Sequence, residues 1–274
     1  MKKYLFFVLI IGSVLLLVSC NRKVQIPDDE IWVAASYTPH AEILEYAKPF
    51  LEEKGYTLKI FRLPDYVTPN QRLTDGDVDA NYFQHLPYLE HYNKQYGTDI
   101  VSVAGIHLEP IGIYSKTYTN LTNIHGATVY MSNSPSDEPR LIRILVDKKL
   151  IKLKEDVKIE DVRVRNIGDY LAENPYNLKF NNDIDPGLLV EIYKHEQNAL
   201  VLINTNFALD QGLNPLEDAL ALESPIDNPY VNIIATRSEM VDHPKIKTLV
   251  EVLTSNEVKQ FIRDTYNGAV IPTE

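Results

Sequence analysis

One stretch of the chain, Asp75 to Asn93, concentrates side chains that can bind a small molecule. It reads DGDVDANYFQHLPYLEHYN, with three alternating aspartates followed by a dense set of aromatic rings and histidines. The aspartates are typical of a solvated turn, and residues 80–85 are short enough to form a buried strand end. Pro87 suits the first turn of a helix, because its missing N–H would have no partner there. Open α/β folds bind ligands where a strand continues into a helix, so this segment predicts a small-molecule site.

A second candidate group lies around Arg140, in the other half of the chain. Asn133 begins an Asn-Ser-Pro tripeptide between a predicted strand and the predicted helix that carries Arg140. Such a junction offers backbone N–H groups and the positive end of a helix to an anion. Arg140 could then hold a carboxylate by a bidentate pair. The alternative is a surface ion pair between Arg140 and Asp137 or Glu138, and both interpretations stay open.

Asn204 and Asn206 directly follow the apolar run ALVLI at 199–203, a predicted buried strand. Asparagine side chains at such a strand end offer both donors and acceptors to a zwitterion. Asparagine is also an ordinary turn residue. A plain turn is therefore the alternative to a binding role here.

Motifs of familiar enzyme chemistry do not occur in the sequence. It has no GxSxG, HExxH, GxGxxG or Walker A pattern, and no two histidines stand three or four residues apart. Histidines at those spacings are typical of metal sites on a helix. The acids Asp183 and Asp185 lie beside Pro186, which favours a solvated loop over a glycosidase pair. We expect no enzyme, no cofactor and no metal.

The elements that must position these groups alternate between strand and helix, which is typical of an α/β protein with mainly parallel sheets. The predicted strands are 31–35, 57–63, 100–113, 127–131, 162–167, 199–203 and 230–235. Apolar stripes of helical period fall between them, and two helices close the chain at 244–253 and 257–266. Each half shows its own alternation, with connections near Ile113 and Tyr230, so we expect two lobes around a ligand cleft. The expected division is 30–112 plus 234–274 for lobe 1 and 113–233 for lobe 2.

The N-terminus has the pattern of a secretory signal peptide over residues 1–19. Two lysines precede a nearly unbroken apolar run at 4–18 that is short for a membrane span. Leu17 and Ser19 stand before Cys20, the only cysteine, and this arrangement resembles the lipobox of bacterial lipoproteins. The resemblance implies cleavage before Cys20 and acylation of that residue, with 20–29 as a lipidated tether. A plain signal peptide or a free core thiol is the alternative.

The charge of the chain bears on its partners. Removal of residues 1–19 takes two lysines and no acids, so the formal charge goes from −11 to −13. An acidic chain without a basic cluster argues against nucleic acid as a partner. We expect a monomer held at the outer face of the cell membrane by its lipid anchor.

Longer strings carry a family resemblance that covers nearly all of the mature chain. They are PHAEIL at 39–44, DYVTPN at 65–70, DGDVDANYFQHLPYLE at 75–90, HLEPIGIYS at 107–115, NPYNLKF at 174–180, INTNFALDQGLNP at 203–215, DALALESP at 218–225, NPYVNIIATR at 228–237 and GAVIP at 268–272. The chain thereby resembles the methionine-binding lipoproteins of the NlpA type, the substrate-binding components of methionine ABC importers. The resemblance implies a two-lobed periplasmic-binding fold, type II-like, that closes on a free amino acid and delivers it to a permease and ATPase.

The resemblance also implies a set of site residues. The thioether of methionine would lie among Tyr66, Phe83, His85 and Tyr88. Arg140 would hold the carboxylate with Asn133 nearby, and Asn204 and Asn206 would bind the ligand's charged groups.

Two departures from the family pattern leave the ligand open. Pro139 replaces the glycine that usually precedes the arginine, and residues 181–195 (NNDIDPGLLVEIYKH) differ most. The implied ligand is methionine or a close analogue. Another amino acid, a short peptide or a role as a surface adhesin is the alternative.

Overall fold

The structure, a computed structural model, describes residues 25–274. The predicted signal peptide, Cys20 and the first residues of the tether lie outside the described residues. Within 25–274, no helix is both long enough and apolar enough to cross a bilayer.

The described chain alternates strands and helices throughout. The strands are β1 Glu30–Ala35, β2 Thr57–Arg62, β3 Ala80–His85, β4 Ile100–Leu108, β5 Gly112–Tyr114, β6 Thr128–Ser132, β7 Lys152–Leu153, β8 Leu171–Glu173, β9 Lys179–Ile184, β10 Ala199–Ile203, β11 Ala221–Leu222, β12 Val231–Arg237 and β13 Ile271–Pro272. The α-helices are α1 Glu42–Glu53, α2 Thr68–Asp75, α3 Leu86–Tyr96, α4 Glu138–Asp147, α5 Leu189–His195, α6 Thr205–Asp210, α7 Pro215–Asp218, α8 Pro244–Leu253 and α9 Asn256–Tyr266.

Two sheets form the centres of two lobes. The first has the order β13-β4-β12-β3-β1-β2, and the second has the order β11-β5-β10-β6-β9. The expected parallel pairing is found for β1 with β2 and β3, and for β6 with β9 and β10. The pairs that β12 makes with β3 and β4, and that β5 makes with β10 and β11, are antiparallel. Each sheet is therefore mixed rather than mainly parallel.

The path between the lobes explains the antiparallel pairs. The chain leaves the first sheet at the end of β4 and returns at the start of β12, where Val231 pairs with Leu108. The two crossing segments, 109–111 and 223–230, therefore lie near each other. A strand that re-enters a sheet where the chain left it must run against the strand that left. The expected boundary between 233 and 234 falls inside β12, which belongs entirely to the first sheet.

Alternation along the strands gives each sheet an apolar layer on both faces. In β1, Val33 and Ala35 pack with α1, α8 and α9, whereas Ala34 packs with α2 and α3. The second sheet is covered by α4 on one face and by α5 and α6 on the other. The helices thus fix the ends of β3 and β10, where the candidate side chains stand.

The predicted strand at 162–167 is wrong. This segment forms 3-10 turns at Ile159–Asp161 and Val164–Asp169. Val162, Val164 and Ile167 are nonetheless buried, and a kink at Asn166 interrupts the second 3-10 segment. These apolar side chains therefore join the core of the second lobe without forming a strand.

The sequence suggested that Asp79 belongs to a solvated turn. This prediction is wrong, because Asp79 is only 2% exposed. Its carboxylate accepts the Trp32 backbone N–H at 2.9 Å and pairs with Lys245 Nζ at 3.3 Å. Lys245 is itself only 3% exposed, and its Nζ lies 3.3 Å from the Pro27 carbonyl oxygen. This pair ties β1 and the end of the tether to α8.

We expect Lys245→Met to lower the free energy of unfolding by about 3 kcal/mol, because it leaves the Asp79 carboxylate buried without its cation. Urea unfolding at neutral pH measures the change. Lys152→Met is the matched control, since Lys152 pairs with Glu173 at the surface and both side chains are at least 60% exposed. The control should lose less than about 1 kcal/mol. Equal losses in the two variants would contradict the assigned role of the buried pair.

Candidate ligand-binding site

A cavity with about 400 Å³ of empty space lies between the two sheets, beside the crossing segments. The residues that line it are His40, Tyr66, Phe83, Gln84, His85, Tyr88, Glu109, Asp137, Arg140, Asn204, Thr205, Asn206 and Asn232. They include every candidate that the sequence pointed to except Asn133.

One wall of the cavity is aromatic. Phe83 comes from the end of β3, Tyr88 from the first turn of α3 and Tyr66 from the loop before α2. Their ring centroids lie 5.8–6.2 Å apart, with the rings tilted or edge-on. The Tyr88 hydroxyl donates to the Tyr66 carbonyl oxygen at 2.7 Å, which fixes the wall. Such a wall suits an apolar or sulfur-containing side chain.

His85 joins this wall to the other lobe. Its Nδ1 accepts the Tyr88 backbone N–H at 3.1 Å and thereby caps α3. Nε2 therefore carries the proton and donates to Asp137 Oδ1 at 2.9 Å. Burial by itself would raise the pKa of Asp137, but the hydrogen bond from His85, the charge of Arg140 and the hydrogen bond from Asn204 outweigh burial and lower it. Asp137 is thus an anion at neutral pH.

Arg140 lies on the polar side of the cavity and is 3% exposed. Its Nε and Nη2 donate to the Glu223 carboxylate at 2.6–3.0 Å, and Nη2 also donates to the Glu109 carbonyl oxygen at 2.7 Å. The Tyr230 ring lies 4.6 Å from the guanidinium carbon. The alternative of a surface ion pair with Asp137 or Glu138 is therefore wrong, because the partner of this arginine is a distant, buried glutamate.

Asn204 and Asn206 each leave one buried polar atom without a partner among the described residues. Asn204 Nδ2 donates to Asp137 Oδ2 at 3.3 Å, but its Oδ1 has no donor. Asn206 Oδ1 accepts the Tyr66 hydroxyl at 2.7 Å, but its Nδ2 has no acceptor. An unsatisfied buried polar atom costs about 1–3 kcal/mol. A ligand that carries both a donor and an acceptor would remove that cost.

Sequence reasoning missed a buried polar network, of which His40, Glu109 and Asn232 line the cavity. Glu109 Oε1 lies 2.7 Å from His107 Nε2 and 3.3 Å from His40 Nε2, and His40 Nε2 lies 3.0 Å from Asn232 Oδ1. The Tyr82 hydroxyl contacts His107 Nδ1. His107 and Glu109 stand two residues apart, but His40, Tyr82 and Asn232 come from remote segments, so local spacing could not have indicated the whole group.

Burial sets the protonation of this network. It lowers the pKa of His40 to about 4 and that of His107 to about 3, and it raises the pKa of Glu109. The ligand atoms of these three residues lie within 4.8 Å of one another, close enough to hold a metal ion. These atoms already have hydrogen-bond partners within the protein, because His107 bonds Glu109 and His40 bonds Asn232.

The remaining sequence features lie outside the first cavity. Asn133 lines a neighbouring cavity of about 750 Å³ together with Asp185 and Pro186, from the stretch 181–195 that departs from the family pattern. Pro139 stands in the first turn of α4, where its missing N–H costs no hydrogen bond. Neither departure changes the lining of the cavity around Arg140.

Two mixed sheets, adjacent crossing segments and a polar and aromatic cavity between them define a two-lobed solute-binding protein. The chain belongs to the NlpA lipoprotein family, whose model matches residues 31–274. This finding confirms the resemblance seen in the sequence.

Individual relatives cover almost the whole chain. The methionine-binding lipoprotein MetQ of Bacillus subtilis (strain 168) is 43% identical over 267 residues, which are 96% of this chain and 95% of that protein. A nutrient binding protein from Burkholderia cenocepacia, solved bound to methionine, has a TM-score of 0.81 at 36% identity and covers 89% of this chain and 100% of its own. A periplasmic substrate-binding protein of an ABC transporter from Coxiella burnetii has a TM-score of 0.79 at 35% identity, with coverage of 89% and 100%.

We expect the stability of the protein to fall as the pH falls from 7.5 to 4.5, in part because of His40. Its pKa in the folded state, about 4, is lower than the ordinary value of 6.5, so below pH 6.5 the unfolded chain binds a proton that the folded chain does not. In His40→Gln the loss over this range should be smaller by about 2–3 kcal/mol.

Urea unfolding at the two pH values measures this difference. The raised pKa of Glu109 acts in the opposite direction, and this group remains in both proteins. His195→Gln is the control, because the His195 side chain is 77% exposed. A His40→Gln variant with the same pH dependence as the control would contradict the prediction.

Proposed function

We propose that this protein captures free methionine, or a close amino-acid analogue, outside the cytoplasm and delivers it to an ABC importer. The observation that carries the proposal is the cavity itself. It combines a buried arginine, an unsatisfied amide acceptor and an unsatisfied amide donor with an aromatic wall.

The polar half of the cavity suits the two charges of a free amino acid. Arg140 and the free Nδ2 of Asn206 would bind the carboxylate, which charge-assisted hydrogen bonds favour. The free Oδ1 of Asn204 and the nearby anion of Asp137 would accept from the ammonium group. The unsatisfied atoms of the two asparagines would then both have partners.

The aromatic half supports methionine as the side chain. A thioether sulfur gains about 0.3–1.5 kcal/mol at the edge of an aromatic ring, and three rings from Tyr66, Phe83 and Tyr88 surround the position that it would take. The names of the B. subtilis relative and of the ligand-bound B. cenocepacia structure point to the same ligand. Another amino acid, a short peptide or an adhesin role is the alternative.

The proposed transport role determines the protein partners. An importer permease and its ATPase would receive the ligand, as the description of the C. burnetii relative suggests. We propose a binding role rather than a catalytic one, in a monomer without cofactor or metal. Residues Asn133, Arg140, Asn204 and Asn206 belong to the proposed site, with Asn133 at its margin in the neighbouring cavity.

The membrane anchor is proposed at Cys20. Nine residues separate it from β1, which begins at Glu30, so 20–29 would form the tether. Several acyl chains would hold the protein at the membrane, since each buried CH₂ contributes about 0.8 kcal/mol.

L-Methionine should raise the melting temperature, because a ligand that binds only the folded state stabilises it by about 2.7 kcal/mol at a hundred times Kd. A thermal-shift screen of all free amino acids on residues 24–274 measures this. Phe83→Ala should weaken methionine binding about tenfold or more by opening the aromatic wall. Phe261→Ala is the control: it removes a ring of α9 that stacks on Tyr46 of α1 and should leave binding unchanged. No shift with millimolar methionine would refute the assignment.

Cys20→Ala should move the full-length protein from the membrane fraction to a soluble or uncleaved form, because the acylated residue is gone. Fractionation of cells, with metabolic labelling by a fatty acid, measures the change. A protein that still carries label after the substitution would refute Cys20 as the lipidation site. Ser19→Ala, which keeps a small residue before the cysteine, is the matched control and should remain labelled.

A further inference from the structure

The guanidinium of Arg140 has some N–H donors that already have acceptors within the protein and others that do not. An arginine has five N–H donors. The single Nε hydrogen and one Nη2 hydrogen go to Glu223, and the other Nη2 hydrogen goes to the Glu109 carbonyl oxygen. Only the two hydrogens of Nη1 have no acceptor among the described residues. A bidentate pair with a ligand carboxylate needs one hydrogen from each of two guanidinium nitrogens. Because the hydrogens of Nε and Nη2 already have acceptors, Arg140 cannot form such a pair with a ligand.

Glu223 is held as firmly as the arginine that it binds. It is 8% exposed, and its Oε2 accepts the Ile111 backbone N–H at 3.1 Å. Ile111 lies in the first crossing segment, whereas Glu223 begins the second. The Tyr230 ring at the end of the second segment covers the guanidinium at 4.6 Å. Both crossing segments therefore fix the orientation of Arg140.

We propose that Glu223 positions Arg140 so that Nη1 alone faces the ligand, which makes Glu223 a positioning residue for recognition of the ligand carboxylate. The inference rests on the proposed function, because it assumes that the ligand carries a carboxylate. Glu223 itself lies outside the cavity lining. Glu223 acts through Arg140 and does not touch the ligand itself.

The position of Glu223 has a consequence for how the cleft works. A charge that the crossing segments hold stays in place when the lobes move about those segments. The carboxylate would therefore bind at the end of the cleft beside the crossing segments. The aromatic wall, from the first lobe, and the asparagines, from the second, would then close around the rest of the ligand.

Calorimetric titration of the mature protein with L-methionine and L-methioninol tests this role. Methioninol keeps the ammonium and thioether groups but has no carboxylate. Glu223→Gln should weaken methionine binding about tenfold or more and change methioninol binding less than about threefold, so the preference for the carboxylate falls. Glu239→Gln is the matched control, because Glu239 pairs with Arg237 at the surface. It should leave both affinities unchanged.

If Glu223→Gln weakens the binding of methionine and of methioninol equally and lowers the melting temperature, the role of Glu223 is purely structural and the inference is overturned. An unchanged preference for methionine would also overturn it. If Glu223→Gln does not fold, Glu223→Asp keeps the charge but withdraws it by one methylene, and the same loss of preference is expected. Arg140→Ala should remove the effect of Glu223→Gln on the affinity ratio, since the glutamate acts through the arginine.

Failure of the proposed function gives a different result. A wild-type protein that binds another amino acid but not methionine would refute the methionine assignment only. The Glu223 variants are then compared with that amino acid and its amino alcohol. A wild-type protein that binds no free amino acid would overturn both proposals.

Discussion

The requirement that a buried charge be paired governs the centre of this molecule. Arg140 is almost fully buried between the crossing segments, and a cation there without an anion would cost several kcal/mol. Glu223 supplies the anion, and the Glu109 carbonyl oxygen takes a further hydrogen. The connections between the lobes, the start of α4 and the entry of β12 must all meet at this pair. The position of the cavity follows from that meeting.

The cavity is defined as much by its unsatisfied atoms as by its satisfied ones. His85 and Asp137 satisfy each other across the cleft, and Tyr66 satisfies one oxygen of Asn206. These contacts join the two lobes without using the free amide atoms of the asparagines. The remaining polar atoms point to a small zwitterion. The protein thus keeps its own charges paired while it leaves a specific set of donors and acceptors for a ligand.

Part of the site could be predicted because its residues are close in sequence. Phe83 and His85 alternate on one strand, and Tyr88 follows in the first turn of the next helix, so strand period and helix capping bring them together. Asn204 and Asn206 stand at the end of an unmistakable buried strand. Asn232 and Glu223 carry no such signal, because each is a single polar residue whose partners lie far away along the chain.

The sequence by itself determined most of the strands and helices, the family and the aromatic segment. The reason is that hydrophobic periodicity, helix-capping residues and long strings that match a family are local properties of a chain. It also suggested an arginine and two asparagines for an anion and a zwitterion. Only the tertiary structure decided that the sheets are mixed, that Asp79 is buried and that Arg140 is held by Glu223. The reason is that electrostatic pairing depends on distance in space, and the order of strands and crossing segments sets that distance.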